Sequence, residues 1–155
     1  MSTGFQLKAK YGGRRIAALM KLSGKDSVFL GVMKGAGNYP GTDTKIAEAA
    51  WFNEFGTPTI PERPFLRWTL AEHDGYFPHL GKALLSALMN PGRDHKKYLR
   101  AVGLIAEQDV REMITSATRF EPNADSTIRK KRSSHPLIDA GLLRQAITSA
   151  LVEGE

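Results

Sequence analysis

Apolar and polar residues alternate in short segments of the chain, which predicts β-strands. Phe5, Leu7 and Ala9 are apolar and the residues between them are polar, the period of a half-buried strand at about 5–10. Segments 28–34 and 147–152 are short and rich in apolar residues, so we predict two further strands there. The three strands are expected to form a small, mainly antiparallel sheet, in an order that the pattern does not fix.

Apolar residues at three- and four-residue steps predict helices in most of the remaining chain. The predicted helices span about residues 14–22, 44–55, 64–75, 77–89, 94–118 and 139–145. The longest is amphipathic, and Glu107 stands four residues before Arg111, the favourable order for a surface ion pair. Gly103, near its middle, marks either a close helix crossing or a tolerated glycine. The fold class expected is α+β, with four or five helices packed against the sheet.

Glycine, proline and capping residues mark the boundaries between these elements. Asp43 or Thr44 is predicted to cap the helix that ends near Gly56, a residue suited to a left-handed C-terminal cap. Three prolines then form a stiff elbow, and the third, Pro64, fits the first turn of the next helix. Asp139 is predicted to cap the last helix. The helix before Gly56 is expected to bury Ile46, Ala47, Ala50 and Trp51.

The composition limits the number of domains and the chemistry. With 155 residues, 41% of them hydrophobic and 25% charged, residues 1–155 are expected to form a single folded domain. The absence of cysteine excludes disulfides, thiolate zinc sites and cysteine nucleophiles. The four histidines lack metal-site spacing, and no Gly-x-Ser-x-Gly elbow occurs. Glu48, Glu54, Glu62 and Glu72 do not differ in spacing from a solvated helical face, so neither catalysis nor a cofactor is predicted.

The chain is expected to remain where it is made. Its longest apolar run, 83–89, falls well short of the roughly 20 residues that cross a bilayer. No apolar stretch with a cleavage site follows Met1, so no secretory signal is predicted.

Positive charge is distributed unevenly along the chain. The net charge is +6, and residues 1–34 contain seven Lys or Arg against one acid. A second basic focus falls in segment 120–136, which we predict, like segment 35–43, to be a mobile exposed loop. This second focus consists of Arg129, Lys130, Lys131 and Arg132. Such clusters can contact phosphates, although a solvated surface accounts for them equally well.

Two blocks of residues are unusual in composition. The first contains Asn53–Thr57 and Ile60–Arg67, and the second contains Asp125–Arg129 and His135–Thr148. In this order, with a long helix between them, the blocks resemble the neck proteins of tailed bacteriophages, also known as head–tail joining, tail-completion or virion morphogenesis proteins. The resemblance covers about residues 28–148. Ala140 and Ala146 depart from it, because the family usually has hydroxyl residues at these two positions.

The resemblance implies a non-enzymatic structural protein of the virion, made in the host bacterial cytoplasm. Such proteins form a ring, expected here to be sixfold or twelvefold, at the junction of head and tail. The implied partners are further copies of the chain, a portal, adaptor or head-closure protein, and a tail-terminator or tail-tube protein. Transient, non-specific contact with genomic DNA is also implied, whereas no membrane, metal or cofactor is.

Cationic residues are the candidates for contacts with neighbouring subunits or channel DNA. Arg63 and Arg67, four residues apart, are expected to share a face and to meet Glu62 or a partner. For Arg63 a bond to a backbone carbonyl at the elbow is the favoured alternative. Phe65 and Leu66 are expected to anchor the following helix in the core. The full set of candidates is Arg63, Arg67, Arg129, Lys130, Lys131 and Arg132.

Two other classes of function stay open at this point. A small nucleic-acid-binding module would use residues 1–34 together with the basic cluster at 129–132, and its binding to duplex would fall steeply with salt. A hydrolase of phage entry or lysis would need a pair of carboxylates that converge in a cleft.

Overall fold

The computed structural model describes residues 26–33, 35–89, 94–116, 119–131, 135–137 and 141–153. The elements within these ranges are β1 (Ser27–Val32), α1 (Ile46–Phe55), α2 (Phe65–Glu72), α3 (Phe77–Met89), α4 (His95–Ser116), α5 (Asp125–Lys131), α6 (Leu142–Ala146) and β2 (Ile147–Val152). The predicted α+β class, with a small antiparallel sheet and one long helix, is confirmed. The predicted strand at 5–10 and helix at 14–22 lie outside the described residues.

The two described strands come from distant parts of the chain. They pair antiparallel, with Ser27 opposite Val152 and Val32 opposite Ile147. Side chains alternate between the two faces of the sheet, so Leu30 packs into the core whereas Phe29 is partly exposed. The strands predicted at 28–34 and 147–152 are both confirmed, although β1 ends at Val32.

Helix α4 packs across the sheet and organises the core. Phe65, which begins α2, is completely buried in the main cluster, as are Val110 and Ile114 of α4 and Ile147 of β2. The predicted anchoring by Phe65 is therefore confirmed, and Leu66 packs against the same cluster. None of the described helices combines the length and the apolar character that crossing a membrane requires.

Gly103 lets α4 approach the sheet closely. A Cβ built on Gly103 would lie 2.6 Å from the Ser149 hydroxyl and 3.1 Å from a methyl group of Val28. Of the two alternatives left open for this glycine, a close approach is the one observed, but its partner is the sheet and not another helix. The apolar pattern of a helix predicts which face is buried, but it does not predict which element packs against that face.

Several predicted boundaries and burials are wrong, and the contacts explain the differences. The N-cap of α1 is Lys45, which makes no side-chain capping bond, and the N–H of Ile46 donates to the Gly37 carbonyl at 3.0 Å. Neither Asp43 nor Thr44 caps this helix. Gly56 has the expected positive φ of 71°, but its ψ of 171° leads out of the helix rather than into a left-handed cap.

The helix after the elbow is shorter than predicted. Pro64 occupies its N-cap position, one residue before α2, and α2 ends at Glu72 instead of near Gly75. A 3₁₀ turn follows, in which Asp74, Gly75 and Tyr76 all have positive φ. Such backbone cannot continue a right-handed helix, which accounts for the early end.

Segment 120–136 contains a helix where a loop was predicted. Helix α5 covers only seven residues, too few to show an apolar period in a polar segment. Asp125 lies in its first turn and Arg129, Lys130 and Lys131 in its last, an arrangement that suits the helix dipole. Helix α6 begins at Leu142 with Gly141 in the N-cap position, and Asp139, predicted as its cap, lies outside the described residues. The mobility of segments 35–43 and 120–136 stays a prediction.

Candidate functional site

The guanidinium of Arg63 is buried and bonded on all sides. Its side chain is only 5% exposed, and it donates to four oxygen atoms. These are the carbonyl oxygens of Glu121 (2.9 Å) and Pro122 (3.2 Å) and the amide oxygens of Asn53 (3.1 Å) and Asn123 (3.3 Å). Burial lowers the pKa of Arg63 from its ordinary value, an effect that the charge of Glu121 partly offsets. We call this group of five residues the Arg63 clamp.

The Arg63 clamp connects the two sequence blocks. Asn53, in the last turns of α1, accepts the Arg63 N–H on its carbonyl at 2.6 Å as well as bonding the side chain. Asn123 donates its side-chain amide to the His135 carbonyl at 3.0 Å, where the second part of the later block begins. Asn53 and Arg63 of the first block therefore help to hold this block against the segment at 121–123, which in turn bonds to His135 of the second block.

Glu54 places α2 against α1. This carboxylate is buried, and it accepts the N–H groups of Leu66 (2.9 Å) and Arg67 (3.0 Å). The first N–H groups of a helix have no partner within the helix. Pro64, at the N-cap, has no side-chain acceptor for them, and the Glu54 carboxylate accepts them instead. Arg67 donates to the same carboxylate at 3.1 Å and to Glu62 at 2.5 Å, and these hydrogen bonds, that to Glu62 foremost, raise its pKa.

Two large aromatic side chains project from α1 into solvent. Trp51 is 63% and Phe55 47% exposed, and their ring centroids are 4.2 Å apart. The Arg67 guanidinium lies 4.9 Å from the centre of the Phe55 ring, a cation–π contact. We call Trp51, Phe55 and Arg67 the aromatic patch. The expected burial of Trp51 is wrong, because Ile46, Ala50 and Glu54 occupy the buried face of α1 instead.

A second aromatic group lies on another face of α2. Trp68 stacks on the buried ring of Phe120 at a centroid distance of 5.4 Å and an interplanar angle of 5°. The Arg119 guanidinium lies 5.7 Å above Trp68 and also pairs with Glu72. This stack fixes the start of the segment that supplies the carbonyl groups of the Arg63 clamp.

The predicted cationic candidates do not form one site. Arg63 lies inside the fold and precedes α2, whereas Arg67 lies on the surface of α2, so the two do not share a face. The alternative of a backbone-carbonyl bond for Arg63 is confirmed, although the carbonyls come from Glu121 and Pro122 and not from the elbow. The predicted contact of Arg67 with Glu62 is also confirmed.

The basic cluster is only partly described. Arg129 is an exposed residue of α5, and Lys130 and Lys131 complete that helix. Arg132 lies outside the described residues. Arg63 is buried in the clamp and Arg67 is paired with Glu54 and Glu62, so the structure uses both for contacts within the chain.

Sequence reasoning missed the structural roles of Asn53, Glu54 and Asn123. One signal was present for Glu54, since it stands four residues after Ala50 and eight after Ile46, on the apolar face of the helix. A carboxylate on that face has to find buried donors. No such signal marks Asn123, whose partner Arg63 lies 60 residues earlier in the chain.

Titratable side chains converge beside the 3₁₀ turn. The Tyr76 hydroxyl donates to Asp109 at 2.8 Å, and His73 Nε2 lies 3.6 Å from the same carboxylate oxygen. Burial, together with this hydrogen bond, raises the pKa of Tyr76. Across the described ranges, no three His, Cys, Asp or Glu side chains are placed to hold a metal ion. The contacts hold α4 against the turn.

The comparisons with known proteins add no relative. No protein-family model, no curated protein and no solved structure matches this chain. The resemblance of the two blocks and the geometry of the clamp and the aromatic patch are therefore what a functional proposal can use.

Proposed function

We propose that this chain is a non-enzymatic structural protein of a tailed bacteriophage. In this proposal it forms a ring in the neck and joins the tail to the DNA-filled head. The observation that carries the proposal is the exposed aromatic patch, of which Phe55 and Arg67 belong to the first of the two blocks that resemble neck proteins and Trp51 stands two residues before it. Exposed apolar side chains that adjoin each other, as Trp51 and Phe55 do, are a feature of interaction sites, whereas isolated ones are common on any surface.

The chemistry of the aromatic patch suits contact with protein. Tryptophan and arginine are the residues that most often dominate the binding energy of protein interfaces. Glu54 fixes α2 to α1, so the backbones that carry Trp51, Phe55 and Arg67 are held together before any partner arrives. A rigid patch loses little conformational freedom on association. In a ring, such a patch meets a different surface of the next copy, and the contact repeats until the ring closes.

The cationic residues at 129–132 have a secondary place in this proposal. Arg129, Lys130, Lys131 and Arg132 are proposed to lie near the channel that DNA crosses. Their contacts with phosphate are sequence-independent and weaken with salt, so they would let DNA pass. Arg63 is not among them, because its guanidinium is buried in the clamp.

The test begins with phage particles that lack this chain. We expect filled heads without attached tails, and joined particles on supplying the chain in trans. Trp51→Ala is expected to restore joining poorly. Leu104→Ala is the matched control, because Leu104 is also 63% exposed but lies on α4 outside the aromatic patch. Normally joined particles in the absence of the chain would rule out the neck assignment.

The purified chain gives a second measurement. Its mass across a concentration series is expected to show growth from monomer towards a closed ring, and Trp51→Ala is expected to shift that growth to higher concentration by about tenfold or more. Equal assembly of the Trp51→Ala and wild-type chains would show that the aromatic patch is not the subunit contact.

A further inference from the structure

The outer edge of β2 is closed by side chains of α4. The Glu107 carboxylate accepts from the Ser149 N–H at 2.7 Å and from the Ser149 hydroxyl at 2.8 Å. One turn later, Arg111 donates to the Ile147 carbonyl at 2.6 Å and pairs with Glu107 at 2.9 Å. The Ser149 N–H and the Ile147 carbonyl on this edge are therefore already bonded, and within the described residues no further strand pairs there.

These contacts fix which backbone groups of β1 point outward. In an antiparallel pair, facing residues alternate between those that bond each other and those that do not. Because the Ser149 N–H points away from β1, its opposite residue Leu30 turns its own N–H and C=O away from β2. By the same alternation Val28 and Val32 do so too. Among the described residues, no group pairs with these outward N–H and C=O groups.

The sequence of β1 is that of a covered strand. Residues 27–32 read Ser-Val-Phe-Leu-Gly-Val, without a charge or a proline. Natural edge strands are usually protected by charged residues, prolines or bulges. Beside this edge lies a small apolar cavity of about 90 Å³, lined among others by Leu70, Tyr76 and Leu80. A strand added at β1 could direct alternate apolar side chains towards this cavity.

We propose that the outer edge of β1 is a strand-acceptor surface and that its occupant is the segment Phe5–Lys10 of the same chain. The 25 residues before Asp26 lie outside the described structure and lead directly into β1. Within them, Phe5, Leu7 and Ala9 alternate with Gln6, Lys8 and Lys10, the pattern of a strand with one face on the core. The tether to β1 is short, which gives this segment a high effective concentration at the edge.

The charges of this segment support the assignment. With the apolar side chains directed inward, Lys8 and Lys10 face solvent on the new outermost strand. They supply the edge charge that β1 lacks, and they discourage further strands from adding. The inference stands independently of the proposed neck function, because it concerns the isolated chain.

Amide hydrogen exchange of the full chain tests the proposal residue by residue. We expect the outward amides of Val28, Leu30 and Val32 to exchange about a hundredfold or more slower than in an unfolded chain. The inward amides of Phe29 and Gly31, which bond to β2, are the internal control for an intact sheet.

Two matched variants separate the occupant from the rest of the fold. Leu7→Asp is expected to release protection at Val28, Leu30 and Val32 while Phe29 and Gly31 stay protected. Lys8→Asp, on the opposite face of the same segment, is expected to leave both sets protected. Outward amides that exchange freely in the wild-type chain, or that stay protected in Leu7→Asp, would overturn the proposal.

A dilution series identifies a competing occupant. Protection by the chain's own segment is independent of protein concentration, whereas protection by a second copy is lost on dilution. Loss of protection at low concentration would therefore assign the edge to a neighbouring molecule and contradict the proposal.

Discussion

Arg63 is a buried cation whose side chain bonds only neutral oxygen atoms. Its planar guanidinium reaches two carbonyl and two amide oxygens at once, which an ammonium group on a flexible stem cannot do. Without these donors, the amide oxygens of the half-buried Asn53 and the buried Asn123 would lose their partners.

Replacement of Arg63 is therefore expected to destabilise the fold. Both Arg63→Lys and Arg63→Ala should lower the free energy of unfolding by about 2–4 kcal/mol, because both leave buried acceptors unpaired. Urea denaturation measures the change. Arg129→Ala removes an exposed arginine and should stay within about 0.5 kcal/mol of the wild type. A stable Arg63→Lys variant would show that the fork geometry is unimportant.

Tyr76 makes stability depend on alkaline pH. The pKa of Tyr76 is raised in the folded chain, so the folded state retains this proton at a pH where the unfolded state releases it. The stabilisation is complete below the ordinary tyrosine pKa of about 10 and is lost as pH rises towards the folded value.

The variant Tyr76→Phe tests this dependence. At pH 7 it should cost about 1 kcal/mol through the lost bond to Asp109. Between about pH 9.5 and 11.5, its free energy of unfolding should fall less steeply than that of the wild type. Urea titrations across that range measure both slopes, and equal slopes would contradict a buried tyrosine proton.

At the scale of the elements, apolar periodicity located the long helix, α3 and both described strands. It failed for α5, because seven residues with a single apolar side chain, Ile128, contain no period to detect. It also placed Trp51 in the core, since spacing alone does not distinguish a buried aromatic from one that faces a partner. The burial of Arg63 and Glu107 could not be predicted, because their backbone partners lie 58 and 42 residues away in the chain.

The packing of α4 on the sheet depends on the missing side chain at Gly103. Gly103→Ala would force a Cβ against the Ser149 side chain and Val28, and should lower the free energy of unfolding by about 1–3 kcal/mol. Gly81→Ala on α3 is the matched control, because a Cβ there meets nothing within 4 Å. It should raise stability by up to about 1 kcal/mol through helix propensity. Thermal unfolding of both variants checks the contrast, and equal shifts would refute the close approach.

At the scale of the whole molecule, the net charge of +6 is compatible with two classes of function, which differ in how tightly the chain should bind DNA. A neck protein needs only weak contacts with DNA, whereas a nucleic-acid-binding module needs tight ones. We expect weak duplex binding at about 50 mM salt, and we expect replacement of residues 129–132 by alanine to leave self-assembly unchanged. Fluorescence anisotropy and sedimentation measure the two properties. Submicromolar duplex binding that disappears in the alanine variant would favour the nucleic-acid class.

The pairing of β1 with β2 also determines when the chain can complete its fold during synthesis. Translation produces β1 early, but its hydrogen-bonding partner β2 follows only after every described helix. A nascent chain on the ribosome therefore carries an uncharged strand whose β2-facing edge is unpaired for most of its elongation. Such a strand is a target for chaperones and for premature association with neighbouring nascent chains.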